Sequence, residues 1–204
     1  LADKAGVKLV SLRPDGSGEK EKLYQINSLA ARFYNYLLLS HPIGKAALYY
    51  LEKERGLSQD SLKGFLLGFA PEVPGSLVKF LVDKKKFQIK DLEKVGLLLF
   101  DSGRAVERFR NRVMFPIFDH RGNVVGFSGR ILPREGSENL AKYINTPETP
   151  IFHKSNLLYG LNLTKEDIKR KKEVVLVEGQ MDVVSSWQKA VTNVVAIGGS
   201  ALTE

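Results

Sequence analysis

A short apolar run that ends at an acidic residue constrains the fold of this chain more than any other feature. Residues 174–177 are all aliphatic and mostly β-branched, a pattern that predicts a strand buried on both faces. Glu178 and Gly179 end the run, and a helical pattern follows. Strands of this kind form parallel α/β sheets, which bind ligands at the carboxyl ends of their strands. The sequence therefore predicts that Glu178 lies at a ligand-binding edge.

A second carboxylate accompanies the first. Asp182 lies on the first turn of the predicted helix, so its side chain can return to the same crevice, and Gly179 allows the tight turn between them. Two carboxylates suit a hard divalent cation, which takes oxygen ligands and leaves room for phosphates. The alternative is an acid that caps the helix N-terminus, where the helix dipole favours negative charge. The spacing alone leaves both interpretations open.

Composition narrows the classes of partner and of site. The 204 residues carry a net charge of +8, which favours a polyanion such as nucleic acid or nucleotides. There is no cysteine, so we expect neither a disulfide nor a thiolate zinc site, and the three scattered histidines lack metal-ligand spacing. No run of residues is long and apolar enough to span a membrane, and no signal peptide opens the sequence. A cytosolic location is the expectation.

The two ends of the sequence predict that it is part of a longer protein. The chain begins at Leu1 rather than at methionine, and residues 194–197 form a second strand of the buried type shortly before the last residue, Glu204. Parallel strands are normally covered by helices on both faces, whereas only one covering helix separates these two. We therefore expect further sheet and further helices to follow.

The first half of the chain has a helical pattern. Residues 1–20 are polar and are predicted to form a linker. Apolar residues recurring at intervals of three and four predict helices, and turn residues predict a loop around Gly68. The predicted helices cover residues 22–39, 43–55, 59–64 after an N-cap at Ser58, 76–84 and 91–96.

A β-hairpin is predicted in the second half. Residues 113–118 and 124–129 are the strands, and Gly122 occupies a turn position that favours positive φ. Pro116 implies an edge or a bulge. Gly126 and Gly129 leave the strand surface low, so that another backbone or a nucleotide could approach closely. A short strand is also predicted near residues 142–145.

Basic residues cluster around this hairpin. At two-residue spacing Arg108, Arg110 and Arg112 would share one face and could bind phosphates, although an edge strand protected by charge explains them equally well. Three further cations lie at the ends of elements before the acidic strand. They form one basic groove or are ordinary surface cations; they are Arg130, Lys142 and Lys154. The basic helix at residues 165–172, capped by Thr164, is interpreted as a solvated face.

Several motifs in one order resemble the bacterial replicative DNA primases. The resemblance covers nearly the whole chain. It is carried by residues 50–57, 67–71, 108–117, 122–130, 142–149, 152–154, 158–161, 177–182 and 198–203.

This resemblance implies a mixed α/β polymerase fold. Residues 21–160 would form the N-terminal subdomain of the catalytic core, helical over 21–97 and β-rich and basic over 98–160. Residues 161–204 would form part of a TOPRIM subdomain, the first βαβ unit of its parallel sheet. Glu178 would be the catalytic acid of a Mg²⁺ or Mn²⁺ centre, with Asp182 beside it. The groove residues would be Arg108, Arg110, Arg112, Arg130, Lys142, Asn145 and Lys154.

The resemblance also implies a reaction and its partners. The parent protein would make RNA primers from ribonucleoside triphosphates on single-stranded DNA, in the bacterial cytoplasm near the nucleoid, and would meet the replicative helicase through a domain that is not in this sequence. An Asp-x-Asp pair of the family is also absent, so this chain alone is expected to be inactive. Two alternatives stay open: another TOPRIM enzyme, such as a topoisomerase or nuclease, and a non-catalytic single-strand-binding module.

Overall fold

The computed structural model describes residues 17–134 and 136–197. These residues form seven α-helices and eight strands, with two short 3₁₀ segments and the π-helical segments Tyr50–Glu54 and Lys79–Lys84. The helices are α1 (Ser17–Leu39), α2 (Lys45–Tyr49), α3 (Gln59–Gly64), α4 (Ser76–Val78), α5 (Ile89–Lys94), α6 (Leu161–Lys171) and α7 (Gln180–Trp187). The strands are β1 (Gly68–Ala70), β2 (Leu98–Asp101), β3 (Arg104–Glu107), β4 (Arg112–Phe118), β5 (Val124–Ile131), β6 (Tyr143–Asn145), β7 (Val175–Val177) and β8 (Val194–Ala196).

Most of the predicted helices are present, with changes at their ends. Helix α1 begins at Ser17, so residues 17–20 are helical rather than part of a linker. Ser58 caps α3, as predicted, by accepting a hydrogen bond from the backbone N–H of Ser61 at 3.2 Å. The predicted helix over residues 43–55 is composite, because a 3₁₀ turn precedes α2 and a π-helical turn, Tyr50–Glu54, follows it. No helix in the described residues is long and apolar enough to cross a bilayer.

The central sheet has four antiparallel strands in the order β1-β4-β5-β6. The predicted hairpin β4–β5 is confirmed, and Gly122 in its turn has φ +90°. Strand β1 was not predicted; the sequence pattern indicated a loop there. Its three residues pair only with the first residues of β4, so β4 has no second partner at Pro116, and its register with β5 shifts next to Ile117. The proline therefore lies on a locally free edge.

Side chains alternate between the two faces of this sheet, and each face is covered differently. Helix α1 covers the first face, where the Tyr34 ring meets the Phe127 ring edge-on at 5.8 Å. The second face carries Val113, Phe115 and Ile117. It packs against α3 and against residues of the β7–α7–β8 unit, in one buried cluster. The first half of the chain and the last forty residues consequently share one apolar core.

Gly68 allows α1 to lie directly on β1. A Cβ atom built at Gly68 would lie 2.5 Å from the Cβ of Tyr34 and 2.7 Å from the Tyr34 carbonyl carbon. Real Cβ atoms do not approach other atoms this closely, so the backbone contact requires glycine at this position. Beside it, the Asn35 side chain donates a hydrogen bond to the carbonyl oxygen of Leu67 at 2.6 Å.

The last forty residues contain the predicted parallel pair, β7 with β8, connected by α7. Strand β8 is buried, and Tyr159 pairs with Ala196 on its other edge. The prediction that residues 174–177 are buried on both faces is wrong for the described part of the chain. Val174 is 50% exposed and Leu176 is 44% exposed, because β7 is the edge strand and no described element covers that side.

Thr164 does not cap a helix. Helix α6 begins at Leu161, after Gly160 with φ +89°, and Thr164 lies inside it. The threonine is fully buried and its hydroxyl has no hydrogen-bond partner among the described residues. The earlier start follows from Gly160, whose left-handed backbone turns the chain into the helix one turn before the threonine.

Glu107 connects the β2–β3 hairpin to a helix N-terminus. It is 5% exposed, and its Oε1 atom accepts hydrogen bonds from the backbone N–H groups of Leu77 at 2.8 Å and Val78 at 3.1 Å. These are two of the donors that a helix start leaves without an intrahelical partner. Burial raises the pKa of Glu107 above the ordinary glutamate value of 4.5, although the two backbone hydrogen bonds act to lower it.

The raised pKa predicts a pH dependence of stability. A raised folded-state pKa means that the stability contributed by this group is fully present below the unfolded-state pKa and is lost as the pH rises through the folded-state pKa. We expect Glu107→Gln, which keeps an acceptor oxygen, to flatten that fall in the unfolding free energy above about pH 4.5. Urea titrations at several pH values measure it, with Glu93→Gln on α5 as the exposed control. An unchanged profile in Glu107→Gln would contradict the assignment.

Candidate nucleic-acid and metal site

A cleft of about 510 Å³ lies where the second face of the sheet meets the β7–α7–β8 unit. Strand alternation builds its floor. Ser128 and Arg130 point to the same face of β5, and their partners on β6 are Asn145 and Tyr143. All four residues line the cleft. The carboxyl end of β7 forms the opposite wall.

The two predicted acids meet in this cleft. Glu178 follows β7 directly and is exposed, with no hydrogen-bond or ion-pair partner among the described residues. Asp182 also lines the cleft, and its Oδ2 atom accepts a hydrogen bond from the Gly179 backbone N–H at 3.2 Å. Asp182 therefore makes the capping contact of the alternative interpretation and also faces the cleft, and its role as a metal ligand stays a prediction. Gly179 has φ −133°, an extended conformation that any residue adopts, so the turn does not require glycine.

Arg130 is held in a pocket formed by two tyrosines. Its Nε donates a hydrogen bond to the Tyr50 hydroxyl at 2.9 Å, and its Nη1 donates to the Tyr143 hydroxyl at 2.8 Å. The guanidinium carbon also lies 6.0 Å from the Tyr50 ring centre and 5.3 Å from the Tyr143 ring centre, within cation–π range. Arg130 is only 9% exposed, so it is not the ordinary surface cation that the sequence left as an alternative.

The remaining basic residues of the cleft come from separate segments. Lys142 precedes β6 and is exposed. Lys154 begins a short 3₁₀ turn, where the Glu148 carboxylate accepts its backbone N–H at 2.9 Å. Arg55 was missed in the sequence. It closes the π-helical turn, its backbone N–H donating to the Tyr50 carbonyl oxygen at 3.0 Å, and it lines the same cleft. The π-turn that positions it leaves no periodic signal in the sequence.

The three arginines predicted to share one face do not line this cleft. Arg108, Arg110 and Arg112 line a second cavity of about 360 Å³, which we call the arginine cavity, together with Glu72 and Arg134. Arg112 pairs with Ile131 rather than with Arg130, so it points to the first face of the sheet, away from the cleft. The structure thus separates the seven predicted groove residues into two sites. Lys142 lies near both, because the carbonyl oxygen of the preceding Ala141 accepts a hydrogen bond from Arg112 at 3.0 Å.

Two of these arginines use part of their guanidinium groups for hydrogen bonds to backbone carbonyl oxygens. Arg108 donates from Nε to the Gly96 carbonyl oxygen at 3.0 Å, and Arg112 donates from Nη1 to the Gly129 carbonyl oxygen at 3.0 Å. Burial lowers the pKa of both guanidinium groups. Arg110 is exposed, and Arg134 forms an ion pair with Glu72 across the cavity. The arginine cavity is therefore strongly basic, with Glu72 as the acid lining it.

Aromatic side chains of this chain cover the low strand surface at Gly126 and Gly129. A Cβ atom at Gly126 would lie 2.7 Å from the Phe152 ring, and one at Gly129 would lie 2.7 Å from the Phe109 ring. The close approach predicted there is made by aromatic side chains of this chain, not by another backbone or a nucleotide. The resembling turn at residues 198–203 lies outside the described residues.

No group of three or more His, Cys, Asp or Glu side chains converges within residues 17–134 and 136–197 in a way that could hold a metal ion. The two cleft acids remain the candidate oxygen ligands. Since Mg²⁺ keeps several waters and commonly takes one or two carboxylates together with substrate phosphates, this donor set fits such a cation.

The fold and the cleft define a mixed α/β protein in which the acidic end of a parallel strand faces a basic wall. Comparison with known proteins then shows the family. The family described as "DNA primase catalytic core, N-terminal domain" matches residues 33–165. The chain belongs to the family of bacterial DNA primase catalytic cores, as the sequence motifs indicated.

Individual relatives agree with this assignment. The DNA primase of Geobacillus stearothermophilus is 42% identical over 212 residues, covering 100% of this chain and 34% of the relative. The RNA polymerase domain of Mycobacterium tuberculosis primase DnaG superimposes with a TM-score of 0.83 at 36% identity, over 90% of this chain and 58% of that one. A DnaG primase catalytic domain bound to single-stranded DNA gives 0.81 at 37% identity, over 92% and 57%. The chain spans about a third of the length of the curated relatives it matches.

Proposed function

We propose that the protein carrying this chain synthesises short RNA primers on single-stranded DNA by metal-dependent nucleotidyl transfer during DNA replication. The observation that carries the proposal is the cleft, where four basic side chains share one space with two carboxylates. The family supports it, and so does the relative whose catalytic domain was determined with single-stranded DNA bound. The proposal keeps the two subdomains that the sequence resemblance implies. Residues 21–160 carry the basic wall, and residues 161–204 carry the acids.

The two walls would have different roles. Arg55, Arg130, Lys142 and Lys154 would hold phosphate oxygens of the template or of the incoming ribonucleoside triphosphate, and Asn145 would contact the same ligands. Glu178 and Asp182 would hold Mg²⁺ or Mn²⁺. The bound cation would supply Lewis-acid stabilisation of the phosphate oxygens.

In the proposed reaction, the 3′-hydroxyl oxygen of one nucleotide attacks the α-phosphorus of the next. A phosphorus–oxygen bond forms, the bond to pyrophosphate breaks, and the hydroxyl proton passes to solvent. Negative charge grows on the phosphoryl oxygens as this happens, and fixed basic side chains stabilise it. Arg130 is suited to that role because its side chain is already immobilised by the two phenols.

The arginine cavity would continue the path of the nucleic acid. It lies on the other face of the sheet, and the segment that joins it to the cleft ends at Lys142. A nucleic-acid strand that passes over this segment could place backbone phosphates both in the cleft and in the arginine cavity. We further propose that the 204 residues alone bind nucleic acid without polymerising, and that the whole protein works in the bacterial cytoplasm and meets the replicative helicase through other residues.

Lys142 provides the test of this binding surface. We expect Lys142→Ala to weaken the binding of a labelled oligothymidylate and to reduce the slope of log K against log salt by about 0.7, the value for one phosphate contact on a single strand. Fluorescence anisotropy at several salt concentrations measures both. Lys84→Ala, which removes an exposed lysine at the end of the π-helical segment Lys79–Lys84, is the control. If both variants bind alike, Lys142 does not contact the strand; if the wild-type chain does not bind at all, the proposed function fails.

A further inference from the structure

Tyr50 lies behind the cleft rather than in it. It is 5% exposed, it belongs to the buried cluster on the second face of the sheet, and it is not among the residues lining the cleft. Its hydroxyl has one described partner, the Nε of Arg130, from which it is separated by eighty residues of chain. We propose that Tyr50 is a positioning residue, which orients the Arg130 guanidinium so that one of its edges receives a phosphate oxygen. This inference rests on the proposed function.

The first support is the absence of a counter-charge. An arginine that is nine-tenths buried normally has a carboxylate partner, because an unpaired buried charge is costly. The described residues place no carboxylate oxygen within 4 Å of Arg130. Two neutral phenols hold it instead. A carboxylate would neutralise the cation, whereas phenols fix its geometry and leave its charge available to an anion.

The second support is the division of the five N–H groups of the guanidinium. Tyr50 accepts from Nε and Tyr143 accepts from Nη1, and Nη2 has no described partner. Arg130 nevertheless lines the cleft. The two tyrosines therefore hold the planar fork at two different nitrogens, and the N–H groups of Nη2 remain for a ligand. Planar recognition of this kind needs the fork to be oriented, which a long, freely rotating side chain is not.

The third support is the position of Tyr50 in the backbone. It is the first residue of the π-helical turn that Arg55 closes. Residues five apart lie about 140° apart around an α-helix but only about 50° apart around a π-turn of roughly 4.4 residues, so the two side chains leave nearly the same side of the helix. One local distortion thus places Arg55 in the cleft and Tyr50 behind Arg130.

The test is a double-mutant cycle in this chain. Tyr50→Phe removes only the hydroxyl, and Tyr49→Phe makes the same change at an exposed neighbour. Two ligands are titrated, labelled oligothymidylate and labelled ATP with Mg²⁺, because the phosphate can belong to the template or to the incoming nucleotide. We expect Tyr50→Phe to weaken the binding of at least one ligand about tenfold, the scale of a hydrogen bond to a charged group, and Tyr49→Phe to leave both unchanged. The affected ligand identifies the source of the phosphate.

The Arg130→Met background distinguishes a positioning role of Tyr50 from a merely structural one. In an Arg130→Met background we expect Tyr50→Phe to have no further effect, because the orienting bond no longer exists. If it weakens binding equally in both backgrounds, or if it has no effect in the wild-type background, the positioning role is overturned. Exchange of the Arg130 Nε–H, followed by NMR, gives an independent reading: it should accelerate in Tyr50→Phe, and an unchanged rate would also overturn the role. If wild type binds neither ligand, the proposed function itself fails.

Discussion

Primer synthesis by the complete protein is expected to fall by about a hundredfold to a thousandfold when Glu178 is replaced by glutamine, the scale on which one lost electrostatic contact lowers a rate. The amide keeps the size of the side chain but removes a negatively charged oxygen, the proposed metal ligand, from the end of β7. Single-strand binding should be unchanged or slightly stronger, because the basic wall is intact and one negative charge has gone. Primer extension and anisotropy, measured on the same preparations, separate the two effects.

The matched control is Glu173→Gln, two residues before the start of the same strand. Glu173 is exposed, and its contact with Asn193 uses its backbone carbonyl oxygen, so the side-chain change should leave synthesis as in wild type. Full activity in Glu178→Gln would remove the metal site from the proposal. The non-catalytic single-strand-binding module, which the sequence left open, would then be the better description of the cleft.

Gly68→Ala is expected to lower the unfolding free energy by about 3 kcal/mol, at the upper end of the usual cost of overpacking. The added methyl group would meet the backbone of α1, which cannot move aside as the end of a flexible side chain can. At roughly 2–4 °C for each kcal/mol in a chain of this size, the midpoint of thermal unfolding should fall by about 6–12 °C.

Gly18→Ala provides the comparison, because no atom lies within 4 Å of the position of its added Cβ. It lies near the start of α1, so that alanine should be neutral or slightly stabilising there. Calorimetry of the two variants and the wild type is sufficient. Equal midpoints for Gly68→Ala and wild type would mean that α1 can shift away from the sheet, contrary to the close packing described.

Local signals in the sequence predicted the hairpin and the acidic strand well. Two short, mostly apolar runs and the turn glycine between them indicate β4 and β5 without help from the rest of the chain. Strand β1 could not be found this way, since three residues beginning with glycine form a strand only because β4 pairs with them. The buried prediction for residues 174–177 failed for a related reason: the composition indicates a core strand, but burial depends on which elements pack over it.

The sequence named most residues of the candidate site but not how they are arranged. Motif order brought Arg112 and Arg130 into one expected groove, whereas the register of β4 against β5 sends them to opposite faces of the sheet. A shift of one residue would reverse this, and the sequence carries no signal that sets the register at that resolution. Arg55 and Tyr50 were not identified as site residues because they reach Arg130 and the cleft only through the π-helical turn.

Gln188 connects the two walls of the cleft to each other. Its Oε1 atom accepts from the Ser58 backbone N–H at 3.0 Å and its Nε2 donates to the Gly56 carbonyl oxygen at 2.9 Å, so that the end of α7 is tied to the segment directly after Arg55. Nearby, the Trp187 and Phe65 rings meet edge-on at 5.5 Å. Hinge opening would have to break these contacts and expose shared core. We therefore expect the two walls to keep their spacing without a ligand, so that a ligand of the cleft would bind at little cost in reorganisation free energy.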